Sequence, residues 1–361
     1  MQMIQVDFGS FNYFPTLRTR VAELKGLSML DDARKARILP LITLGKWPRA
    51  EDFSRSAEKA AEAMGGRYYF LDLPSDGRHH TESSRALTNP ADAFGSWRAF
   101  LDERPLAVPV VQFGDRAPQR DVIQQARHFE RTRGKVAFRI RDFNAETGLV
   151  IAALSSLDDI NNAIVFVDTQ YIRPAVSAYE AAATATINAI REQHPASFIS
   201  VLASSFPASP TTFADSSQQR GRIDILERTF HQSLGGSAVS TYGDYSSIHA
   251  VVYDDQPIMR WSPRIDYPLE LEWYFERRPG VQDATQGYVA IANAMVDLMP
   301  EVRASDVWGD RMIVDAASGT PHGAAPQSWI AVRVNLHLTR QIDFSERIAG
   351  GADDDYEDQS E

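Results

Sequence analysis

The amino-acid sequence predicts an α/β protein built as a single (β/α)8 barrel of the TIM type, with an inserted β-hairpin and a C-terminal extension. Eight short apolar runs, rich in β-branched and aromatic residues, recur along the first 250 residues and alternate with helix-period segments. The runs begin 25 to 40 residues apart. This is the spacing expected when a crossover helix joins each strand to the next parallel strand.

A third observation separates the closed barrel from its main alternative, an open doubly wound sheet. Such a sheet normally carries a glycine-rich phosphate-binding turn after its first strand. The corresponding segment here, YFPTLRTRVAE, contains no glycine. We therefore expect the eight strands to close into a barrel.

The predicted strands and helices follow one another along the chain. The strands begin at Tyr13 (YFPTL), Ile38 (ILPLITL), Arg67 (RYYFLDL), Leu106 (LAVPVVQF), Val136 (VAFRIRDF), Ala163 (AIVFVDT), Phe198 (FISVLASSF) and Ala238 (AVSTYGDY). Helical periodicity marks the segments 51–64, 90–103, 120–133, 145–160, 175–193 and 222–234, and residues 283–299 are interpreted as the eighth helix.

Two segments lie outside this repeat. Residues 250–282 contain the alternating stretch LELEWYFER, which predicts a β-hairpin inserted at the C-terminal mouth of the barrel. Residues 301–346 contain SWIAVRVNLHLTRQI, which predicts one more helix or strand packed on the body. Neither segment has the length or the polar linkers of an independent domain. We therefore expect one domain over residues 1–346 and a disordered acidic tail over residues 347–361.

Composition excludes several classes of protein. The 361-residue chain is 43% hydrophobic, which is enough for a sizeable core, and it has no cysteine. Disulfide frameworks, thiol catalysis and Cys-ligated metal centres are therefore excluded. No run of 18 apolar residues predicts a membrane span, and residues 1–5 lack the features of a secretory signal. We expect a cytoplasmic protein without membrane contact.

The formal net charge of −11 is concentrated at one end. Residues 353–361 hold six acidic residues and no basic one, so the tail is expected to be solvated. The acidic body argues against a broad surface for the phosphate backbone of nucleic acids. It leaves room for a local basic pocket.

The strands are expected to deliver polar side chains to the barrel mouth. Residues of a barrel strand alternate between the lumen and the helix layer. In VAFRIRDF, Phe138 and Ile140 share one face, so Arg139 and Arg141 are predicted to point into the lumen. The same rule predicts a ring of polar residues near the strand ends, where barrel active sites are built. The ring is Arg18, Thr43, Asp72, Gln112, Arg139, Arg141, Asp168, Ser204 and Asp244.

This ring has two interpretations. Its arginines and aspartates could form a buried ion-pair network that plugs the barrel. Alternatively, the arginines hold an anionic ligand and an aspartate acts as a base. Contributions from all eight strands favour the pocket, because packing alone would use Val, Ile and Leu. The candidate catalytic residues are Asp72, Asp168 and Asp244, and the candidate ligand-binding residues are Arg18, Gln112, Arg139, Arg141, Ser204, Tyr242, Arg260 and His337.

The residues at the predicted strand ends do not match those that several well-known barrel chemistries need. No lysine ends a strand, since Lys46 lies in the following loop, so a Schiff-base aldolase is not indicated. The fourth and seventh strands end in Gln112 and Ser204 rather than in the carboxylate pair of a glycosidase. Two adjacent histidines, at positions 79 and 80, lie in a predicted loop. We therefore predict no metal site.

A serine nucleophile at position 204 or 205 would need a histidine base. His249 and His337 are available for this role, although no spacing singles out either one.

The predicted hairpin interleaves aromatic residues with arginines. We interpret it first as a lid packed on the barrel mouth, with base stacking or a protein interface as alternatives. The residues are Arg260, Trp261, Arg264, Tyr267, Trp273, Tyr274, Phe275, Arg277 and Arg278.

Six short motifs occur in order between about residues 13 and 341: YFPTLRTRVAEL, ILPLITL, SSFPASPTTF, STYGDYS, VWGDRMI and SWIAVRVNLHLT. Together they resemble the phage-type beta protein family, which is found in tailed phages and in bacteria. The family usually has lysines where Arg18 and Arg20 stand, and two histidines where Leu336 and His337 stand. A role that needs lysine chemistry or both histidines is therefore not carried over. The resemblance implies a phage-linked or anti-phage setting and no particular reaction.

Two functional hypotheses follow. In the first, an anti-phage or phage-associated protein binds a nucleotide or another phosphate-bearing ligand at the barrel mouth, and catalysis by hydrolysis stays open. In the second, the barrel is a non-enzymatic scaffold whose hairpin or acidic tail binds a protein partner in a defence or phage assembly. The sequence identifies no cofactor for either hypothesis.

Overall fold

A computed structural model describes residues 3–75, 82–114, 117–251 and 261–351. Eleven strands lie within these ranges, and eight of them are parallel neighbours in one sheet. The strands are β1 (Tyr13–Arg18), β2 (Leu41–Thr43), β3 (Tyr69–Asp72), β4 (Ala107–Pro109), β5 (Val136–Ile140), β6 (Ala163–Tyr171), β7 (Phe198–Ser204), β8 (Arg220–Asp224), β9 (Thr241–Asp244), β10 (Arg264–Pro268) and β11 (Glu272–Arg277).

The large sheet closes on itself almost completely. Its strand order is β4-β3-β2-β1-β9-β7-β6-β5. A parallel bridge between Val110 and Ala137 joins the two ends, β4 and β5. The backbone N–H of Val111 donates to the carbonyl of Ala137 over 2.8 Å across this seam. The predicted (β/α)8 barrel is confirmed, and each of the eight predicted apolar runs supplies one of its strands.

Twelve α-helices lie within the described ranges. They are α1 (Val21–Ser28), α2 (Asp32–Lys35), α3 (Ser54–Met64), α4 (Glu82–Leu87), α5 (Ala91–Asp102), α6 (Gln119–Arg133), α7 (Phe143–Leu154), α8 (Val176–Gln193), α9 (Leu226–Ser233), α10 (Ala284–Leu298), α11 (Trp308–Ala317) and α12 (Pro326–Ala349). None of these helices is both long and apolar enough to cross a lipid bilayer.

Local sequence signals set the ends of the central helices. The Asp142 carboxylate caps α7 by accepting hydrogen bonds from the backbone N–H groups of Asn144 and Ala145. Helix α6 ends at Gly134, whose φ of +78° is the left-handed conformation that favours glycine at a helix C-terminus. These two boundaries lie at opposite rims, because Asp142 follows the C-terminal end of β5 and Gly134 precedes its N-terminal end. Since the eight strands are parallel, their C-terminal ends and the loops after them meet at one rim.

The eighth helix of the barrel is α12, so the interpretation of residues 283–299 as that helix is wrong. Val334, Leu338 and Ile342 of α12 share one core cluster with Tyr13 and Leu17 of β1. The residues of α10 pack instead in a second cluster with α11 and the hairpin. Helix α12 is apolar on two faces, so it packs against the barrel on one side and α10 and α11 on the other.

The predicted hairpin is present and belongs to a larger sheet. Strands β10 and β11 pair antiparallel, and β8 pairs antiparallel with the outer edge of β11. The prediction of a helix over residues 222–234 is therefore wrong at its start, because the segment reaching Asp224 is a strand and α9 begins at Leu226. Pairing with β11, about 50 residues away in the chain, overrides the helical periodicity of this segment.

The lower part of the barrel lumen is filled by aromatic side chains. Phe14, Phe70 and Phe166 form a triangle with ring centroids 5.0 to 6.1 Å apart. Ile4 and Phe8, from the segment before β1, join the same buried cluster and close the barrel from below. Because this layer is tightly packed, a ligand can enter the lumen only from the rim at the C-terminal strand ends.

The acidic tail begins after α12, which runs to Ala349, and residues 352–361 lie outside the described residues. Deleting residues 353–361 is expected to leave the melting temperature nearly unchanged. A charged segment with a single aromatic residue buries too little apolar surface to offset the entropy lost on ordering. Differential scanning calorimetry of the full and shortened chains measures this. A drop of several degrees would show that the tail docks on the body.

Candidate functional site

A cavity of about 300 Å³ opens at the C-terminal ends of the barrel strands, and we call it the mouth cavity. Five basic side chains line it, while no carboxylate of a described residue does. The basic residues are Arg18, Arg20, Lys46, Arg139 and Arg141. The predicted lumen direction of Arg139 and Arg141 agrees with this geometry.

Arg139, on β5, is the most fully bonded side chain below the cavity. Its Nε donates to Asp168 Oδ2 over 2.8 Å, and its Nη1 donates to Asp72 Oδ2 over 2.9 Å. Nη1 also donates to Thr43 Oγ1 at 2.8 Å, and Nη2 lies 2.9 Å from the Tyr245 hydroxyl. The guanidinium is 3% exposed. Every one of its nitrogens has a partner, so Arg139 is a structural hub.

Asp72 and Asp168 are the anchors of this hub. Asp72 accepts hydrogen bonds from Gln112, Arg139, Arg141 and the backbone N–H of Leu73. Burial opposes ionisation of Asp72, but the two arginines outweigh it and hold the pKa of this carboxyl below its usual range. A carboxylate with a lowered pKa and occupied lone pairs is a poor general base.

Asp168 is bonded in the same way. It accepts hydrogen bonds from Arg139, from the Tyr245 hydroxyl at 2.7 Å and from the backbone N–H of Gln170 at 2.9 Å. Across the ranges the structure describes, no group of three or more His, Asp or Glu side chains is arranged to hold a metal ion. The two aspartates therefore hold Arg139 and Arg141 in position, and these arginines form the floor of the mouth cavity.

Arg141 lies higher in the cavity wall. Its Nη2 donates to Asp72, and its side chain is 16% exposed. The backbone N–H of Arg141 donates to Glu146 Oε2 over 2.6 Å, which ties the end of β5 to α7. This guanidinium is held from below and keeps part of its surface towards the cavity.

Arg18, at the end of β1, donates its backbone N–H to Glu23 Oε2 over 2.6 Å, but its guanidinium forms no salt bridge with a carboxylate of a described residue. Its guanidinium donates to the backbone carbonyls of His249, at 3.3 Å, and Ala250. Burial lowers the pKa of Arg18, yet an arginine stays protonated in proteins. Nearby, the buried Thr16 Oγ1 forms no hydrogen bond with a described residue, and Thr16 lines the same cavity. A desolvated charge beside a free hydroxyl favours an incoming anion with acceptor oxygens.

Three residues at the rim have left-handed backbone conformations that are unusual without glycine. They are Gln170 (φ +57°), Ser246 (φ +51°) and Ser247 (φ +63°). Gln170 uses this conformation to donate its N–H to Asp168, and Ser246 donates its hydroxyl to the carbonyl of Thr16. Such conformations cluster where a fold fixes a functional loop, and here they fix the loops after β6 and β9.

Asp244 faces the helix layer, so its predicted place in the lumen ring is wrong. The hydroxyls of Tyr13 and Tyr242 donate to its carboxylate over 2.6 and 2.9 Å. His337 Nε2, from α12, lies 2.7 Å from Asp244 Oδ2. All four side chains are buried. Tyr242 and His337, predicted as ligand contacts, therefore lie in this outer cluster and away from the mouth cavity.

The reason for the error is visible on β9. Its lumen positions are taken by Gly243 and Tyr245. A Cβ on Gly243 would lie 2.4 Å from Leu202 Cδ2 and 2.8 Å from the Phe14 carbonyl oxygen, so this position needs glycine. The parity rule assumed an apolar helix layer, whereas α12 brings a histidine to that layer.

The remaining predicted residues divide between the lumen and undescribed segments. Gln112 lies in the lumen and donates to Asp72 over 3.0 Å. Ser204 is buried below the rim and donates to the carbonyl of Ile248, and Ser205 donates to the Glu227 carboxylate. Neither hydroxyl has, among the described residues, the histidine partner that a nucleophile would need. Arg260 and the histidines at 79–80 lie outside the described residues.

The predicted site residues do not include several that line the mouth cavity, among them Thr16, Arg20, Lys46 and Tyr245. Tyr245 directly follows Asp244, and the correct parity of β9 would have found it. Lys46 was set aside because it lies in the loop after β2. Its position beside the strand end was the available signal, since barrel sites draw on such loops.

The hairpin aromatics serve packing. Tyr267, Trp273, Tyr274 and Phe275 are buried, while Trp261 is 45% exposed. Trp273 packs edge-on against Phe206 at 5.1 Å, in the loop after β7. The hairpin therefore closes the rim on one side, and among its described residues only Trp261 leaves a large aromatic surface exposed.

Comparisons with known protein sequences identify the family of this chain. The Beta protein family model matches residues 13–343, which span the barrel, the hairpin and α12. The chain belongs to the Beta protein family. The chain is also 46% identical over 356 residues to the "Protein beta" of Enterobacteria phage P4, covering 98% of this chain and 99% of that protein. The resemblance seen in the sequence is confirmed, and a phage encodes a full-length relative of this Beta family member.

Proposed function

We propose that this Beta family protein is a phage-associated binding protein whose mouth cavity takes a phosphate-bearing ligand. The observation that carries the proposal is the unbalanced charge of the cavity lining, with five basic side chains and no carboxylate among the described residues. Arginines present planar donor pairs that match phosphate oxygens.

The charge balance below the cavity supports an anionic ligand. Asp72 and Asp168 offset the charges of Arg139 and Arg141. The buried Glu23 lies 3.8 Å from the Arg20 guanidinium and accepts the backbone N–H of Arg18, so it offsets part of the charge of these two arginines. Lys46 forms no ion pair with a described residue, so the five basic side chains of the lining still exceed the three carboxylates around it. Thr16 and Thr43 add hydroxyl groups to the lining. A phosphate would neutralise this excess and satisfy the unpartnered Thr16 hydroxyl.

Hydrolysis is the less supported part of the hypothesis. A hydrolytic reaction needs a base within reach of the attacking water. Asp72 and Asp168 would each have to release an arginine to act as one, and Asp244 lies on the other side of the barrel wall. We therefore propose binding as the primary activity. The phage P4 relative makes phage infection, as a phage-encoded or an anti-phage role, the setting in which to test it.

A scaffold that binds its partner through the hairpin would need an exposed apolar or aromatic surface there. The buried hairpin aromatics argue against the hairpin as that surface.

Replacing Arg18 by Met tests the proposal. We expect binding of inorganic phosphate or pyrophosphate, measured by isothermal titration calorimetry, to weaken by about tenfold or more, because one charge-assisted contact is lost. Thermal stability should change little, since the Arg18 guanidinium forms no salt bridge with a described carboxylate. The matched control is Arg120→Met, whose side chain is 81% exposed on α6. Absence of binding to the unmodified protein, or unchanged affinity in Arg18→Met, would reject the mouth cavity as a phosphate site.

A further inference from the structure

A second cavity, of about 470 Å³, adjoins the mouth cavity, and we call it the side cavity. The two cavities share Pro74, Ser75 and Arg141 in their linings. The Arg141 side chain therefore lines both cavities and lies between them. Each cavity falls within or near the range of about 300–1,000 Å³ that is typical of small-molecule sites. A ligand with two parts could therefore occupy both.

The side cavity has two flat apolar side chains in its lining. Phe113 and Pro90 line it, and Phe113 is half-buried against the barrel core. The chain turns at Gly114, whose φ of +59° only glycine adopts readily. This turn follows Phe113 directly, and the Phe113 side chain packs against the barrel core. An aromatic ring in a cavity wall can stack on a planar ring of a ligand.

Glu146 gives the side cavity a hydrogen-bond acceptor. Its Oε2 accepts from the backbone N–H groups of Arg141, at 2.6 Å, and Asp142, at 3.0 Å. Its Oε1 accepts no hydrogen bond from a described residue. A carboxylate oxygen in this position suits an N–H donor of a ligand and repels a second phosphate.

Building on the phosphate site proposed above, we propose that the ligand is a nucleoside phosphate, with its phosphate in the mouth cavity and its base in the side cavity. Arg141 lies between the two and holds the phosphate from the side of the base. Phe113 stacks on the base. Glu146 accepts a hydrogen bond from an exocyclic amino group, which favours adenine or cytosine over uracil.

The test compares inorganic phosphate, pyrophosphate, AMP, CMP and UMP by isothermal titration calorimetry on the full-length protein. AMP or CMP should bind at least about tenfold more tightly than phosphate, since base–aromatic stacking has that order of effect. Phe113→Ala should remove this advantage while phosphate binds as before. Phe113→Leu keeps most of the packing volume and should show the same loss, which guards against a folding defect in the alanine variant.

Glu146→Gln tests the base preference separately. The amide introduced by this substitution would keep an oxygen acceptor for the backbone N–H groups and present an NH₂ donor to the side cavity. We expect the preference to shift from AMP or CMP towards UMP. An unchanged preference would remove Glu146 from base recognition. Arg120→Met serves again as the unaffected control.

The two proposals fail in different ways. If neither phosphate nor any nucleotide binds, the phosphate site itself is rejected. If phosphate binds but pyrophosphate equals or exceeds the nucleotides and the Phe113 variants change nothing, the nucleotide assignment is overturned and the phosphate site stands.

Discussion

Replacing Arg139 by Met should lower the free energy of unfolding by about 3–5 kcal/mol, the usual cost of removing one partner from a buried ion pair. Asp72 and Asp168 would lose their shared guanidinium, and Tyr245 and Thr43 would lose a donor. Methionine retains most of the apolar stem, so the loss reports the charge and its hydrogen bonds. Urea unfolding followed by circular dichroism measures it.

Arg18→Met is the matched control for this experiment, because it makes the same substitution at the same rim. The described partners of the Arg18 guanidinium are backbone carbonyls, so its removal should change stability little. Equal stability of Arg139→Met and the unmodified protein would mean that water solvates the two aspartates, and the hub assigned to Arg139 would then be wrong.

The second large effect is expected at Asp244. Asp244→Ala removes the common acceptor of Tyr13, Tyr242, His337 and the backbone N–H of Ser246. These donors are buried and would be left without an acceptor, so we expect a loss of about 3–5 kcal/mol in unfolding free energy. Because the cluster lies between the barrel wall and α12, phosphate affinity of the folded fraction should not change. A loss of affinity with full stability would place Asp244 in the binding site after all.

The acid dependence of stability gives an independent check on Asp244. Burial opposes its ionisation, but His337 and the hydrogen bonds to Asp244 outweigh burial and hold its pKa below the usual range. A carboxyl with a lowered pKa in the folded state stabilises the protein above its unfolded pKa of about 4. That contribution is lost as the pH falls through the folded value. Asp244→Asn should therefore show a weaker decline of stability below about pH 4 than the unmodified protein. Identical acid profiles would contradict this.

The barrel and most of its lumen ring could be predicted from the sequence because both follow from local periodicity. Phe138 and Ile140 are apolar and Arg139 and Arg141 are not, so one assumption about the helix layer orients the whole strand. The same assumption failed for Asp244, because the apolar layer is interrupted by His337. Nothing near Asp244 in the sequence points to a residue 93 positions away.

The errors in the helices have a similar origin. Residues 283–299 form a good amphipathic helix and follow the last barrel strand, yet α12 takes the position on the barrel. The choice depends on which apolar face fits β1 and α1, and tertiary packing decides this. The start of α9 was misplaced because residues 220–224 pair with β11 as a third strand. The two cavities likewise could not be predicted from the sequence, because loops from distant parts of the chain form them.

The position of α12 also bears on how the chain folds during synthesis. β1 is made first, but its outer face is covered by both α1 and α12, and α12 ends only at Ala349. One edge of β1 pairs with β9, which is also far away in the chain. On the ribosome, the apolar outer face of this first strand is therefore only partly covered until nearly the whole polypeptide has been made. Pairings this distant in the chain close slowly and leave apolar surface open to aggregation meanwhile. Nascent chains stalled before residue 326 would be the species most in need of a chaperone.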